Sequence, residues 1–441
     1  MALVASFSQP WLKLNRLLTF QLLARKVHYR APSMRYEADP GSLLYVAASS
    51  LPYHSSGYTT RTHELVCALQ KARRNVHVVT RPGYPWDRRD RLVEAESEET
   101  AVGYTHYYHI RHPCNLRPVL QYSIQGARSI AQVAIRKRVS VIHAASNHVN
   151  ALPSLLAARH LGIPFQYEMR GLWELTRVAR MPKYEGSQGY RQGLQLEGLV
   201  ARSADRLFVI SDQLGYFAQE KWGIPAERIA LLPNCVDPER IYSADSADFE
   251  PDTIGYAGSL ISYEGLDTLI DAVAQLIKLG RRVGVNIIGH GEAEQELREQ
   301  TTRLGLDQHI RFFGKMSPIA AREKLSRCAL VCIPRKPHSV CEIVPPIKLV
   351  EALALGKPVV VADLPVLRDE LGATPAGWFF KPGDFEDLAE VIDRALRSQS
   401  TFPELGARAR EHAIAHRRWE DFVNDVLPMA QNGELNGRRV G

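Results

Sequence analysis

Two carboxylates and a lysine surround a pair of prolines in the stretch CEIVPPIKLVEALALG, residues 341–356. Glu342 and Glu351 can each accept hydrogen bonds from two neighbouring hydroxyl groups, as a ribose or hexose diol presents them. Lys348 precedes Glu351 by three residues, so both side chains share one face if this stretch is helical. The stretch therefore predicts a site for a sugar that carries an anionic group. The alternative is a helix with acids near its N-terminus and lysines on its surface.

Further cations precede this stretch. The run ALVCIP, residues 329–334, is typical of a buried strand and ends immediately before Arg335 and Lys336. Together with Lys348, these side chains could neutralise a diphosphate and the charge that develops when it leaves. Val344 is also predicted to contact this sugar ligand, because the two prolines stiffen a loop that exposes main-chain amides of their neighbours.

Glycine turns follow two other predicted strands of this half. GYAGSLISYEGLDTLIDA, residues 255–272, places Gly258 and Ser259 at a strand end, and GHGEAE places Gly291 at the next. A Gly-Ser turn can present main-chain amides to a diphosphate, and a tight glycine turn lets a base or ribose approach the backbone. Ordinary strand-to-helix turns are the alternative at both places.

A similar loop lies in the first half, in SSLPYHSSGYTTRTHELVCAL, residues 49–69. Gly57 opens a predicted helix whose first turns carry Tyr58 and Arg61. Main-chain amides at a helix start favour an anion or a carbonyl oxygen. We therefore predict that all three residues contact the acceptor, the molecule that would receive the sugar. The alternative is a plain strand-to-helix turn.

Polar side chains also cluster after two further predicted strands of the first half. The stretch VIHAASNHVNALPSLLAARHLGIPFQYEMRGLWEL puts His143 at a strand end and Asn147 in the loop behind it. Glu168, Arg170 and Glu174 follow the next strand. A histidine or carboxylate here could take a proton from an acceptor, and an arginine could bind phosphate. The alternative for each is an ordinary loop residue with satisfied hydrogen bonds.

No metal site is predicted. HYYHIRHPC, residues 106–114, contains three histidines and a cysteine, but successive residues of a strand alternate between its faces. This spacing does not give tetrahedral ligand geometry, so a strand or loop of aromatic residues and histidines is favoured.

Alternating strand and helix patterns position these loops. The predicted strands are 43–49, 75–80, 140–145, 163–168, 206–210 and 227–233, then 253–258, 283–289, 309–314, 329–334 and 358–363. Strands that alternate with helical stretches predict an α/β protein with parallel sheets. The predicted segments are a basic amphipathic segment (1–40), an N-terminal Rossmann-like domain (41–236), a C-terminal Rossmann-like domain (250–405) and helices that pack back on the N-terminal domain (406–430).

Composition limits the class of protein. The chain has 441 residues, a formal net charge of +7 and 45% hydrophobic residues, which is typical of a globular protein with anionic partners. Six cysteines without a CxxC pair favour a reduced cytoplasmic protein over a disulfide or zinc scaffold. No transmembrane segment and no nucleic-acid partner are predicted.

The basic excess is concentrated at the start of the chain. Residues 1–36 contain six lysines and arginines but no Asp or Glu, and Trp11, Leu14, Leu18 and Leu22 recur at helical spacing. This pattern predicts a helix that lies on an anionic membrane surface. The alternatives are a leader that packs on the domain, or sequence upstream of a start at Met34.

At these motifs the chain resembles the retaining glycosyltransferases of family four, which have the GT-B fold of two Rossmann-like, doubly wound domains facing across a cleft. The resemblance rests on GYAGSLISYEGLDTLIDA, IGHGE, RFFGKM, CIPR, PNCVD and, above all, EIVPPIKLVEALALGKPVVVAD. RGLWE is similar to members that build bacterial surface polysaccharides. The resemblance extends over about residues 42–400 and is strongest in the second half.

The resemblance implies roles for particular residues. The second domain would bind the nucleotide sugar, with Glu351 on the ribose and Glu342 on the donor sugar. Gly258 and Ser259 would face the diphosphate, and Gly57 the reacting centre. The candidate catalytic residues are Glu342, Arg170 and His143. The reaction would retain the anomeric configuration and need no metal or other cofactor.

Three features depart from the family pattern. Eight residues, 343–350, separate the two glutamates, whereas seven are usual. Ser259 and Glu264 stand where an arginine and a lysine are usual. Binding of the phosphates would therefore depend on Arg335, Lys336 and Lys348. Arg170 stands where many members carry a histidine.

The predicted function is transfer of a hexose from a nucleoside diphosphate sugar to a glycan or lipid-linked acceptor, in surface polysaccharide biosynthesis. The protein would be cytoplasmic and peripheral on the inner face of the membrane, through residues 1–36. Two alternatives stay open at this point: a nucleotide-sugar epimerase, which needs no acceptor, and a partner subunit that binds nucleotide sugar without catalysis.

Overall fold

The computed structural model describes residues 2–28, 36–241, 249–372 and 376–426, with the backbone alone for 2–13 and 15. The chain divides into two compact units. The N-terminal unit comprises the described parts of Met1–Leu232 and Glu420–Gly441, and the C-terminal unit those of Pro233–Trp419. Residues 406–430 were predicted to pack back on the N-terminal domain. Residues 406–419 instead belong to the C-terminal unit, and residues 420–426 belong to the N-terminal unit. Residues 427–430 lie outside the described residues.

The N-terminal unit contains one sheet and its covering helices. In chain order its elements are α1 (Ala2–His28), β1 (Ser42–Ala47), α2 (Gly57–Lys71), β2 (Asn75–Thr80), β3 (Glu99–Val102), β4 (Thr105–His109), α3 (Val119–Arg136), β5 (Val141–Ala145), α4 (His148–Leu161), β6 (Phe165–Met169), α5 (Trp173–Arg180), α6 (Gln188–Ser203), β7 (Arg206–Val209), α7 (Asp212–Trp222) and β8 (Ile229–Leu231).

The strand order of this sheet is β3-β4-β2-β1-β5-β6-β7-β8. All described pairs are parallel except the β3–β4 hairpin. The central strands are buried along their whole length, because helices cover both faces of a parallel sheet. The charged segment 88–100 joins this sheet at its end, where residues 99 and 100 begin β3.

The C-terminal unit is a second doubly wound domain. Its elements are β9 (Glu250–Ala257), α8 (Leu266–Lys278), β10 (Gly284–Ile288), α9 (Glu294–Arg303), β11 (Ile310–Gly314), α10 (Pro318–Ser326), β12 (Cys328–Ile333), α11 (Ser339–Ile343), α12 (Ile347–Ala354), β13 (Val359–Ala362), α13 (Pro365–Leu371), β14 (Gly377–Phe380), α14 (Phe385–Arg397) and α15 (Phe402–His416). The last of the described helices, α16 (Val423–Val426), lies in the N-terminal unit.

The order of its parallel strands is β11-β10-β9-β12-β13-β14. The direction of winding reverses between β9 and β12, and ligands of such sheets bind beyond the carboxyl ends of the strands at this point. The same reversal lies between β1 and β5 in the N-terminal unit. The two reversal points are therefore where each domain should hold its ligand.

Two expectations about local structure need correction. The segment CEIVPP was predicted to be a rigid loop, but its first residues belong to the short helix α11, and the prolines separate α11 from α12. Pro346 precedes the first residue of α12, where its missing N–H costs no helical hydrogen bond. In addition, neither β3 nor β14 was predicted from the sequence.

Candidate functional site

A buried carboxylate joins two cations at the reversal point of the C-terminal unit. Glu264, which is 5% exposed, lies in the turn between β9 and α8. Its Oε1 accepts a hydrogen bond from Nη2 of Arg335 at 3.0 Å, and its Oε2 accepts one from Nζ of Lys348 at 2.8 Å. Arg335 follows β12 and Lys348 lies on α12, so three separate elements meet at this carboxylate.

The lysine of this group lies directly behind the first glycine turn. Nζ of Lys348 donates to the hydroxyl of Tyr256 at 2.7 Å, and that hydroxyl donates to the carbonyl oxygen of Ser259 at 2.9 Å. A Cβ on Gly258 would lie 2.7 Å from Nζ of Lys348. The glycine thus leaves space for the ammonium group immediately beside the turn that was predicted to face a diphosphate.

The electrostatics of the group follow from burial and from its two cations. Burial alone would raise the pKa of Glu264, but the charges of Arg335 and Lys348 outweigh it and lower that pKa to about 2. The pKa of Lys348 is lowered, because burial and the positive charge of Arg335 together exceed the attraction of Glu264. Two cations facing one carboxylate leave one positive charge in excess, which suits an anionic ligand.

The second glycine turn packs backbone to backbone against the first. The amide of Leu260 donates to the carbonyl oxygen of His290 at 3.2 Å, and the amide of Ala293 donates to that of Leu260 at 3.0 Å. A Cβ on Gly291 would lie 2.2 Å from the carbonyl oxygen of Leu260. This contact requires glycine at position 291 for packing, and its predicted contact with the donor stays a prediction.

The remaining predicted donor residues are spread around this group. Nη1 of Arg335 donates to the carbonyl oxygen of Val344 at 2.6 Å, which ties the proline loop to the cluster. Lys336 instead pairs with Asp267, with Nζ 2.5 Å from Oδ2, so it is not part of the Glu264 group.

Glu342 and Glu351, the two glutamates on either side of the proline pair, differ in environment. Glu342 is exposed on α11. Glu351 is partly buried on α12, and its Oε1 lies 3.7 Å from Nη1 of Arg322. Burial raises the pKa of Glu351, against the opposing charges of Arg322 and Lys348. The contacts of both glutamates with a sugar stay predictions.

The N-terminal unit has its own buried ion cluster. Oε1 of Glu168 accepts hydrogen bonds from Nε and Nη2 of Arg61 at 3.0 and 2.8 Å. Oε2 accepts from Nη2 of Arg170 and from the hydroxyl of Tyr45 at 2.8 and 2.7 Å. Burial would raise the pKa of Glu168, but the two guanidinium groups hold it well below its usual range. One positive charge again remains in excess.

Arg170 connects this cluster to the start of α2. Its Nη1 donates to Oγ1 of Thr62 at 2.7 Å and to the carbonyl oxygen of Tyr58 at 3.2 Å, and its guanidinium carbon lies 4.5 Å from the Tyr58 ring centroid. Its Nε is buried and donates to no described residue. The predicted residues Tyr58, Arg61, Glu168 and Arg170 are therefore brought together.

Two predicted positions in this unit are corrected. His143 was expected at a strand end, but it lies inside β5, fully buried, with Nδ1 2.9 Å from Oε1 of Gln166. Glu168 was expected after the next strand, but it lies inside β6 and is also fully buried. Both side chains are satisfied across the β5–β6 pair, so neither reaches solvent beyond the strand ends. Their proposed roles toward an acceptor stay predictions.

The other two predicted loop residues of this unit begin helices. Asn147 caps α4, where its Oδ1 accepts from the amide of Val149 at 3.1 Å. Gly57 is the exposed first residue of α2 and follows the capping residue Ser56. Both positions are thus explained locally, and a ligand contact at either is untested.

A second buried group contains residues that the sequence analysis did not select. Oε2 of Glu197 accepts from the amide of His148 at 2.9 Å and lies 3.1 Å from its Nδ1, and Oε1 accepts from the hydroxyl of Tyr167. Burial would lower the pKa of His148, but the hydrogen bond and charge of Glu197 raise it. A charged residue within the apolar run LQLEGLV of α6 was the signal available in the sequence.

Glu174, a predicted acceptor contact, adjoins this group. The residue is 5% exposed, and its Oε2 is buried and accepts no hydrogen bond from any described residue. Burial and the negative charge of Glu197 raise its pKa, against the opposing charge of His148. An unsatisfied buried carboxylate oxygen costs free energy, which favours a role for Glu174 beyond packing.

No group of three metal-binding side chains occurs among the described residues. Of the histidines in the 106–114 stretch, His109 is buried in β4 between Oγ1 of Thr80 at 2.9 Å and Oγ1 of Thr100 at 2.8 Å. Burial lowers its pKa to about 4. Both ring nitrogens of His109 thus have hydrogen-bond partners inside the sheet.

Two family models match the chain, one over each unit. The "Glycosyl transferase 4-like domain" model matches residues 56–235, and the "Glycosyl transferases group 1" model matches residues 242–414. The chain belongs to the GT4-type glycosyltransferases. Its Glu264 group and its glycine turns lie within the second match, and the Arg61–Glu168–Arg170 cluster lies within the first.

Curated relatives of this GT4-type glycosyltransferase match parts of the chain. A phosphatidyl-myo-inositol mannosyltransferase of Mycobacterium leprae is 27% identical over 48% of this chain and 57% of its own length. An exopolysaccharide phosphotransferase of Streptomyces coelicolor is 25% identical over 52% of this chain and 24% of its own length. The chain thus spans only about half of the first relative and a quarter of the second.

Solved structures share the fold over most of both chains. Sucrose-phosphate synthase from Thermosynechococcus elongatus superimposes with a TM-score of 0.71 at 16% identity, covering 87% of this chain and 97% of that one. HepE from Anabaena, in complex with UDP-glucose, gives 0.65 at 19% identity, covering 88% and 98%. The prediction of a GT-B fold with two parallel-sheet α/β domains is confirmed.

Proposed function

We propose that this glycosyltransferase moves a hexose from a nucleoside diphosphate sugar to a glycan or lipid-linked acceptor, with retention of anomeric configuration, in surface polysaccharide biosynthesis. The carrying observation is the position of Lys348 behind the Gly258 turn, held by Glu264 where β9 and β12 end. A diphosphate at this turn would meet the main-chain amide of Ser259, with the ammonium group of Lys348 directly behind the turn. The UDP-glucose in the HepE structure supports a donor of this class.

The proposed reaction exchanges one bond for another at the anomeric carbon. The acceptor oxygen bonds to that carbon on the face from which the diphosphate oxygen departs, and the acceptor proton passes to the departing diphosphate. Lys348 and Arg335 stabilise the negative charge that grows on the diphosphate. These fixed cations would let the reaction proceed without a metal or other cofactor.

The proposed place of action is the cytoplasmic face of a membrane, contacted through residues 1–36. Support comes from the six basic residues and the absence of acids in this segment. Among the described helices, none combines the length and the apolarity needed to cross a bilayer.

A panel of nucleotide sugars tests the function directly. The purified chain is first screened for thermal stabilisation by each donor, and the donors that bind are then assayed for nucleotide release with and without candidate acceptors. Nuclear magnetic resonance of the product reports its anomeric configuration. Release with an inverted product would exclude the retaining reaction, and the absence of stabilisation by every nucleotide sugar would contradict the donor assignment.

One observation favours a second function, that of a partner subunit without catalytic activity. Glu264 engages both nearby cations, which reduces the charge available to a leaving diphosphate. Such a subunit would bind a nucleotide sugar but release no nucleotide with any acceptor. Conversion of a free nucleotide sugar without acceptor would instead indicate an epimerase.

A further inference from the structure

Helix α1 has a buried row of side chains on one face and a row of exposed leucines on another. The row packed against the N-terminal unit consists of Thr19, Leu23 and Val27. The other row consists of Leu14, Leu18 and Leu22, with 46%, 44% and 41% of each residue exposed. The helix contacts α3, α4 and α6. It is therefore held in place without the second row, whose leucines are left facing solvent.

A cavity of about 700 Å³ lies where the C-terminal end of α1 meets α3 and α4. Its floor is apolar and includes Ile135 and Leu156. Its other walls carry the cationic side chains of Arg25, Lys26 and Arg128, and no acid is among its lining residues. A cavity with an apolar floor and a cationic rim is suited to an amphiphile with an anionic head.

The rim cations are available to a ligand. Arg25, Lys26 and Arg128 are exposed and make no hydrogen bond or ion pair with any described residue. Arg159, which also lines the cavity, is 7% exposed and donates from Nη1 to Oδ2 of Asp205 at 3.1 Å. Three cations with no partner among the described residues, placed around one opening, create a local positive potential.

We propose that this cavity binds the headgroup phosphate of an anionic phospholipid in a bilayer surface, while the exposed leucines of α1 enter the acyl-chain boundary. Leucine insertion supplies apolar burial, and the rim cations supply attraction to anionic lipid, which are the two contributions that hold an interfacial helix. The inference rests on the membrane contact proposed above and is independent of the donor chemistry.

Vesicle flotation tests the surface. The full chain is mixed with vesicles of phosphatidylcholine alone or of phosphatidylcholine with phosphatidylglycerol, at low and high salt. We expect binding to the mixed vesicles that weakens with salt, because exposed charges are screened. The double variant Leu18→Ser, Leu22→Ser should lower the apparent affinity about tenfold, since it removes the inserted apolar area. The matched control Leu279→Ser changes a leucine that is 68% exposed on the C-terminal unit and should have no effect.

A second pair of variants distinguishes lipid binding in the cavity from general electrostatic attraction between the protein surface and anionic vesicles. Arg128→Glu on α3 reverses a rim charge and should lower affinity for the mixed vesicles about tenfold. Lys137→Glu reverses an exposed charge at the end of the same helix, outside the cavity, and should change affinity less than about twofold. Equal losses from the two variants would overturn the cavity, as would equal binding to phosphatidylcholine alone.

Two further measurements settle the source of the phosphate and the independence of the site. Soluble glycerol phosphate should fail to displace the protein from mixed vesicles, and displacement would overturn the lipid in favour of a soluble ligand. Binding of a nucleotide sugar should persist in every variant, because none changes a residue of the donor site. A failure of the proposed donor function would leave the vesicle comparison intact.

Discussion

Nζ of Lys348 lies 2.7 Å from the point that a Cβ on residue 258 would occupy. Lys348 of α12 therefore occupies space that is available only because residue 258 is a glycine. Any side chain at position 258 would displace the ammonium group from Tyr256 and Glu264. Because the end of a lysine side chain is flexible, the displacement should affect binding more than folding.

Gly258→Ala should therefore weaken binding of a nucleoside diphosphate sugar about tenfold, the scale of losing one charged hydrogen bond. Thermal unfolding should change little. Gly284→Ala is the matched control, because a Cβ there meets atoms no closer than 3.7 Å. Titration calorimetry that gives the same affinity for both variants would remove the Gly258 turn from the donor site.

Glu264 should make the stability of the C-terminal unit fall as the pH becomes acidic. Its pKa falls from 4.5 to about 2 in the folded protein, so its charge stabilises the fold above pH 4.5 and this contribution is lost as pH falls toward about 2. Glu264→Gln should lower the free energy of unfolding by about 3 to 5 kcal/mol at neutral pH, because it leaves two buried cations without their carboxylate.

Calorimetry of the wild type and Glu264→Gln between pH 7 and the acid transition measures this difference. The deficit of the variant should shrink as pH falls below 4.5. Glu390→Gln, which changes an exposed acid of α14, serves as the control and should track the wild type. A deficit that stays constant across the acid range would show that packing, rather than charge, holds the group together.

Glu351 is predicted to hold the nucleotide ribose, and its replacement tests that role. Glu351→Ala should weaken donor binding roughly tenfold to a hundredfold, the loss expected for a carboxylate that accepts from a diol. Glu296→Ala removes an exposed acid from α9 and should leave the affinity unchanged. Equal affinities for the two variants in titration calorimetry would count against the ribose contact.

Much of the fold follows from local pattern. The strand at 75–80 was predicted with the bounds that the structure has, and the helix α2 was predicted to begin at Gly57, where it does begin, because each has a clear apolar period and a capped or polar end. The strand β14 was missed, since GWFF is only four residues long and begins with glycine. Short edge strands carry too few residues for a period to appear.

The site was less predictable, because its contacts join distant parts of the chain. Glu264 is 71 residues from Arg335 and 84 from Lys348. The sequence marks it as an acid where a lysine is usual in the family, but only the folded β9 and β12 edges show which cations surround it. The same holds for His143, whose partner Gln166 is set by the pairing of β5 with β6.

Glu174 combines a raised pKa with an unsatisfied oxygen, and this predicts a conflict between stability and function. Its folded pKa lies above the ordinary 4.5, so folding favours the protonated form and the wild type loses stability as pH rises through that range. Glu174→Gln keeps the size of the side chain beside Gly193, where a Cβ would come within 2.0 Å of Oε1. The variant should be more stable than the wild type at pH 8 by about 1 kcal/mol or more, and not at pH 4.

If Glu174 contacts the acceptor, the same variant should raise the KM for the acceptor while nucleotide-sugar binding is unchanged, since such stability gains at functional sites commonly reduce activity. Glu185→Gln, at an exposed position of the same unit, is the control for both measurements. A stability gain of equal size at pH 4 and pH 8 would contradict the charge argument. An unaltered acceptor KM would leave Glu174 as a strained internal acid with no part in acceptor recognition.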